Sequence, residues 1–81
     1  MHYVKKYVEV VARISENGEP KPMYIGWEDN RYFKVDKVLE VLPAASLKAG
    51  GQGLRFKLRI GQVTTYVYYE NPAWFVEKRV D

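Results

Sequence analysis

Apolar and polar positions alternate with a period of two along most of this chain, and the 3.6-residue period of a helix does not appear. The clearest stretch is RFKLRIGQVTTYVYY, beginning at Arg55, in which Phe56, Leu58 and Ile60 interleave with Arg55, Lys57 and Arg59. The alternation resumes with Val63, Thr65 and Val67 between Thr64, Tyr66 and Tyr68. Between the two halves sits Gly61-Gln62, with glycine at the first central position of a two-residue type II′ turn. Similar runs occupy residues 3–14, 23–27, 31–42 and 74–80, and each ends at turn chemistry. Asn17-Gly18 follows the first, and Pro20 and Pro22 suit the start or edge of the next because they cannot donate to a ladder. Glu28-Asp29-Asn30-Arg31, Pro43 and Asn71-Pro72 punctuate the rest.

Six short strands joined by tight turns predict an all-β fold: a six-stranded antiparallel meander curled into a small SH3-like or OB-like barrel, with residues 1–81 as a single domain. Register tests this internally, because a slip of one residue moves every side chain to the other face. A two-residue loop at Asn17-Gly18 sets Ala12 opposite Met23, Val10 opposite Ile25 and Val8 opposite Trp27. A three-residue loop at 29–31 sets Trp27 opposite Phe33 and Ile25 opposite Val35. Gly61-Gln62 sets Ile60, Leu58 and Phe56 opposite Val63, Thr65 and Val67, and the turn at 70–73 sets Tyr69 opposite Trp74 and Val67 opposite Val76. Apolar meets apolar throughout, so these residues are the expected core. Residues 43–53, PAASLKAGGQG, have no readable period beyond a helical turn expected at 44–47.

The same registers dictate the opposite face of the last three strands. Arg55 lies across from Tyr68 and then Phe75, Lys57 from Tyr66 and then Glu77, and Arg59 from Thr64 and then Arg79. Charge changes the meaning of this face. Of 13 basic and 10 acidic residues, Lys48, Arg55, Lys57 and Arg59 fall between Glu40 and Glu70, where no acid occurs; that segment carries +4 and the remainder, nine basic against ten acidic, carries −1. Cations beside exposed rings suit single-stranded nucleic acid, phosphates meeting charge and bases meeting π-faces. The candidate binding residues are therefore Arg55, Lys57, Arg59, Tyr66 and Tyr68, with Lys48, Phe75 and Arg79 at the margin. The plainer alternative is a solvated sheet face, since cross-strand Tyr–Arg and Tyr–Lys pairs stabilise hairpins by tenths of a kcal/mol to about 1 kcal/mol.

A second surface competes with it. On the first hairpins Val11 falls opposite Tyr24, with Tyr7, Tyr32 and Val38 nearby, an outer stripe apolar enough to bind another protein or a second copy, as a strand edge also can. The glycine loop Lys48-Ala49-Gly50-Gly51-Gln52-Gly53 could offer backbone N–H groups to an anion, but lacks the spacing of a phosphate loop and reads first as tight turns. Catalysis has little support. His2 is the single histidine and sits at a terminus; Ser15 and Ser46 have no base nearby in sequence; Asp29, Asp36, Glu40 and Glu70 show no metal-ligand spacing. The expectation is a non-catalytic binding module without cofactor or metal. With no cysteine, no signal-like N-terminus and no long apolar run, a cytoplasmic protein away from membranes is expected.

The order of WEDNRYFKVDKVLEV, AASLKAGGQG and NPAWFVEKRV resembles that of small bacterial β-rich proteins of unknown function, over roughly residues 3–80. The resemblance implies a compact β-barrel and carries no activity or site residues.

Overall fold

Two of the six runs fold as two strands each. Among the residues described by the computed structural model, 2–44 and 53–80, the chain is all β, with eight strands. These are β1 (Tyr3–Val8), β2 (Val10–Ile14), β3 (Pro20–Gly26), β4 (Tyr32–Lys34), β5 (Lys37–Pro43), β6 (Leu54–Ile60), β7 (Val63–Glu70) and β8 (Ala73–Arg79). They form two antiparallel sheets, one of five strands in the order β1-β8-β7-β6-β5 and one of three in the order β2-β3-β4. The six-stranded meander is thus corrected to eight strands, and the described residues form two layers rather than a closed barrel. The expected helical turn at 44–47 and the glycine loop lie almost wholly outside the described residues.

The chain changes sheets at two corners. At the first, Val8 pairs with Trp74 in the large sheet and Val10 with Ile25 in the small one, while the intervening Glu9 carbonyl accepts from Gly26 N at 2.7 Å. At the second, Val35 N donates to Met23 in the small sheet and the next residue, Asp36, donates its N–H to Arg59 in the large one, each at 2.9 Å. The Asp36 carboxylate also accepts from Gly61 N at 2.6 Å, which ties this corner to the β6–β7 turn. Neither corner has Gly or Pro at its own turning residues, Glu9 and Val35-Asp36; the glycine that the first requires, Gly26, stands on the partner strand β3.

Alternation then places the core between the layers. Ile25 and Val35 from the small-sheet side meet Phe56, Leu58, Val67 and Trp74 from the large sheet in one buried cluster, with Val8, Val10, Ala12, Val38, Leu54, Ile60, Tyr69 and Val76 packed around it. Phe56 and Trp74 rings lie 5.4 Å apart within it. Of the expected core, Phe33, in the middle of the short edge strand β4, and Val63, the first residue of β7, are instead exposed.

The registers were predicted with unequal success. The β6–β7 ladder is as expected, with Gly61 at a φ of 61° in the turn. The β7–β8 ladder also matches at Tyr69↔Trp74, around a cis Asn71-Pro72 bond. In the β2–β3 hairpin Gly18 N donates to Ser15 O and Ser15 N to Glu19 O, a three-residue loop with Gly18 at a φ of 83°, and Ala12 pairs with Pro22 rather than Met23. A bulge between Val11 and Ala12 restores Val10↔Ile25. The β3–β4 turn keeps three residues but lies one residue earlier than expected, on 28–30 with Trp27 N donating to Arg31 O, which pairs Ile25 with Phe33 instead of Val35; Asn30 takes the left-handed position at a φ of 62°.

Candidate functional site

The outer face of the five-stranded sheet is the side away from this core, and the ladders fix what stands on it. Across β5, β6 and β7 the rows are Leu42-Arg55-Tyr68, Glu40-Lys57-Tyr66 and Lys37-Arg59-Thr64; the first continues through Phe75 to Tyr7, whereas Glu77 and Arg79 lie beyond the end of the β7–β8 ladder and pair with Lys5 and Tyr3 of β1. The sheet holds Arg55, Lys57, Arg59, Tyr66, Tyr68 and Phe75 in the expected pairings, whereas Arg79 pairs with Tyr3 of β1 beyond the end of the β7–β8 ladder instead of standing across from Thr64, and Lys48 lies outside the described residues.

Within the face these residues are not equivalent. Phe75 was expected as an accessible ring but is only 2 % exposed. It forms a second small core with Ala44 and Tyr68, stacked on Tyr68 with centroids 4.9 Å apart, while Tyr7 meets it edge-on at 5.8 Å and the Lys5 ammonium lies 4.6 Å over the ring. Phe75 therefore supports the face and cannot present its ring. Tyr68 is half-buried, and its hydroxyl donates to Glu77 Oε1 at 2.9 Å. Burial first, and the Glu77 carboxylate second, push its phenol above the ordinary value.

Tyr66 remains 39 % exposed, with the Arg55 guanidinium 4.9 Å from its ring centroid. Arg55 also lies 3.7 Å from Glu40 Oε1, so its charge is partly engaged. Arg59 is exposed and Lys57 half-buried, and among the described residues neither has an ion pair. The cations available to a ligand are thus Lys57 and Arg59, with Arg55 held against Tyr66 as part of a stacking platform.

The sequence reading missed the contribution of β1. Tyr3, Lys5 and Tyr7 extend the basic-aromatic face by a whole strand, because β1 pairs along β8 from Val8↔Trp74 to Tyr3↔Arg79. Their own alternation, aromatic-basic-aromatic, was the available signal; reading 3–14 as one strand hid it. Lys5 Nζ contacts Glu70 at 3.0 Å and the Tyr7 hydroxyl also donates to Glu70, which hold that carboxylate below the ordinary range, the Tyr7 bond being the larger cause.

The alternative stripe divides between sheets. Val11 pairs with Tyr24 on the outer side of the small sheet, and both are exposed, at 49 % and 41 %. Tyr32 joins them, its hydroxyl donating to Glu9. Tyr7 belongs to the large sheet, and Val38 packs against the main core because it pairs with buried Leu58; neither lies on the stripe as expected. Among the described residues no group of three or more His, Cys, Asp or Glu could hold a metal ion, and no helix is long and apolar enough to cross a membrane. Comparison with protein-family models, curated proteins and solved structures returned no match, so the chemistry of the site is read from its own residues.

Proposed function

We propose that this chain is a non-catalytic binding module whose partner is single-stranded nucleic acid, held on the outer face of the five-stranded sheet. The observation that carries the reading is the convergence of Lys57, Arg59 and Tyr66 with the β1 residues Tyr3 and Lys5 on one face, opposite a fully formed core. Lys57 and Arg59, which have no ion pair among the described residues, meet phosphates, and accessible phenol rings accept stacked bases. We read the fold as an open form of the SH3-like and OB-like small barrels, in which sheet faces commonly serve as binding surfaces. A chain without cysteine suits a reducing, cytoplasmic setting.

The test is fluorescence anisotropy with labelled single-stranded and duplex oligonucleotides over a range of salt, comparing the wild type with the Lys57→Glu/Arg59→Glu variant. The wild type should prefer the single strand, with each phosphate contact adding about 0.7 to the slope of log affinity against log salt. The variant should lose most of the affinity and flatten that slope. Equal binding by the two proteins, or none by either, overturns the reading. A second reading, contact with another protein or a second copy, is favoured by the exposed Val11–Tyr24 pair on the small sheet.

A further inference from the structure

The outer face carries three carboxylates, and the structure treats them differently. Glu70 faces the Lys5 ammonium at 3.0 Å, and Glu40 lies 3.7 Å from the Arg55 guanidinium. Glu77 accepts one neutral hydrogen bond, from Tyr68 at 2.9 Å, and among the described residues no ion pair involves it. Its cross-strand neighbour is Lys5, whose ammonium goes to Glu70 instead. A carboxylate left with its full charge amid cations repels phosphate, so its place on this face calls for a ligand that donates N–H groups.

The backbone opens a slot beside it. The β7–β8 ladder ends after Tyr68↔Phe75, whereas β8 continues along β1 as far as Tyr3↔Arg79. Where β7 and β8 part, a cavity of about 290 Å³ is lined by Tyr3, Thr65, Tyr66, Tyr68, Val76 and Glu77. Thr65 and Val76 belong to the inward-facing set of their strands, so the slot reaches between the strands instead of lying flat on the sheet. At about 290 Å³ it lies close to the lower end of small-ligand pockets, the size that suits one planar base.

Donor pattern then selects the base. A carboxylate is acceptor-only and has two oxygens. Guanine alone among the common bases presents two adjacent donors, N1–H and the N2 amine, on its Watson–Crick edge. Adenine and cytosine offer one amine beside a ring-nitrogen acceptor, and uracil one N–H between two carbonyls, so each turns a lone pair toward the carboxylate. We infer that the slot between β7 and β8 takes one guanine of a bound single strand, its N1–H and N2 amine donating to Glu77 and its ring resting on tyrosine. Tyr68 acts as a positioning residue, its hydroxyl fixing the Glu77 carboxylate. The inference rests on strand binding by this face.

The experiment measures anisotropy of uridine octamers carrying a single central guanosine, adenosine, cytidine or uridine, with the wild type, Glu77→Gln and Tyr68→Phe. The guanosine strand should bind the wild type about tenfold more tightly than the others. Glu77→Gln should lose that preference while binding the all-uridine strand at least as tightly as the wild type, since a charge that repels phosphate is gone, and Tyr68→Phe should weaken the preference in part. Four equal affinities for the wild type, or an unchanged preference in Glu77→Gln, overturns the slot and leaves strand binding standing. Absence of binding to every octamer overturns both. Glu77 is exposed, so Glu77→Gln should match the wild type in far-UV circular dichroism and the comparison reads recognition rather than folding.

Discussion

Tyr68 is where packing, charge and the proposed recognition meet in a single side chain. Its ring is stacked on Phe75 at an interplanar angle of 6°, and its hydroxyl reaches Glu77. Burial and then the carboxylate both favour the neutral phenol, so its folded pKa lies above the ordinary value. For such a group the stabilising contribution is complete below the unfolded pKa of about 10 and is lost as pH rises through the folded value. An alkaline titration followed by phenolate absorbance, with Tyr68→Phe subtracted from the wild type, should show Tyr68 ionising later than a free tyrosine. Glu77→Gln should move that step back toward the ordinary value without reaching it, because burial remains. A Tyr68 step at the free-tyrosine pH in the wild type would contradict the geometry. Tyr7 and Tyr32 have raised phenols for a different leading reason, a hydrogen bond to Glu70 and Glu9 respectively.

Among the elements, the corners decide the architecture, and they are also where sequence reasoning ran out. The Gly61 hairpin was legible to the residue, and the Asn71-Pro72 hairpin next to its turn, because a short connection leaves one register that keeps Phe56, Leu58, Val67 and Trp74 on one face; the expected Val67–Val76 pair does not form, since the β7–β8 ladder ends at Tyr68↔Phe75. The first hairpin was right at Val10↔Ile25 through two compensating departures, a loop one residue longer and a bulge that takes up the difference. The corner at Glu9 was not legible. Val8, Val10 and Ala12 continue one inward-facing series straight through it, so no change of phase marks the change of sheet. The corner at Val35-Asp36 did leave a trace, since the buried positions pass from odd (Val35) to even (Val38), a slip that a regular strand without a bulge does not make. Once the strands were joined in error, Tyr3, Lys5 and Tyr7 could not be placed beside β8, and part of the site disappeared with them.

Gly26 makes the first corner possible, and its substitution tests that claim. A Cβ there would stand 3.1 Å from the Glu9 carbonyl oxygen, 3.3 Å from Glu9 Cβ and 3.3 Å from Tyr32 Cε2. The carbonyl cannot retreat without loosening its 2.7 Å bond from Gly26 N, which is what fastens the corner to β3. Gly26→Ala should therefore destabilise the fold by about 1 to 3 kcal/mol, the usual range for forcing a methyl into a filled site. Urea denaturation should show a lowered midpoint at unchanged slope; a midpoint equal to that of the wild type would mean that the corner yields at little cost.

At the scale of the molecule, one core separates two outer surfaces of different character. The large sheet presents cations and phenol rings, whereas the small sheet presents the exposed Val11–Tyr24 pair. Val11 and Tyr24 stand on strands of the sheet opposite Lys57 and Arg59, and none of the four takes part in the buried cluster between the layers. Substitutions on the two faces share no partner, so their effects should combine without coupling. Val11→Lys puts a charge into the apolar pair while leaving the core intact. If the small sheet is a self-association surface, light scattering across a concentration series should show the wild type gaining mass and Val11→Lys remaining a monomer. A wild type that stays monomeric with no binding of an apolar dye removes the self-association reading. In either case the affinity of Val11→Lys for a single strand should equal that of the wild type, because the proposed strand-binding face belongs to the other layer. A loss of strand affinity in Val11→Lys would show that one ligand spans both faces, and the assignment of nucleic acid to the large sheet alone would fall.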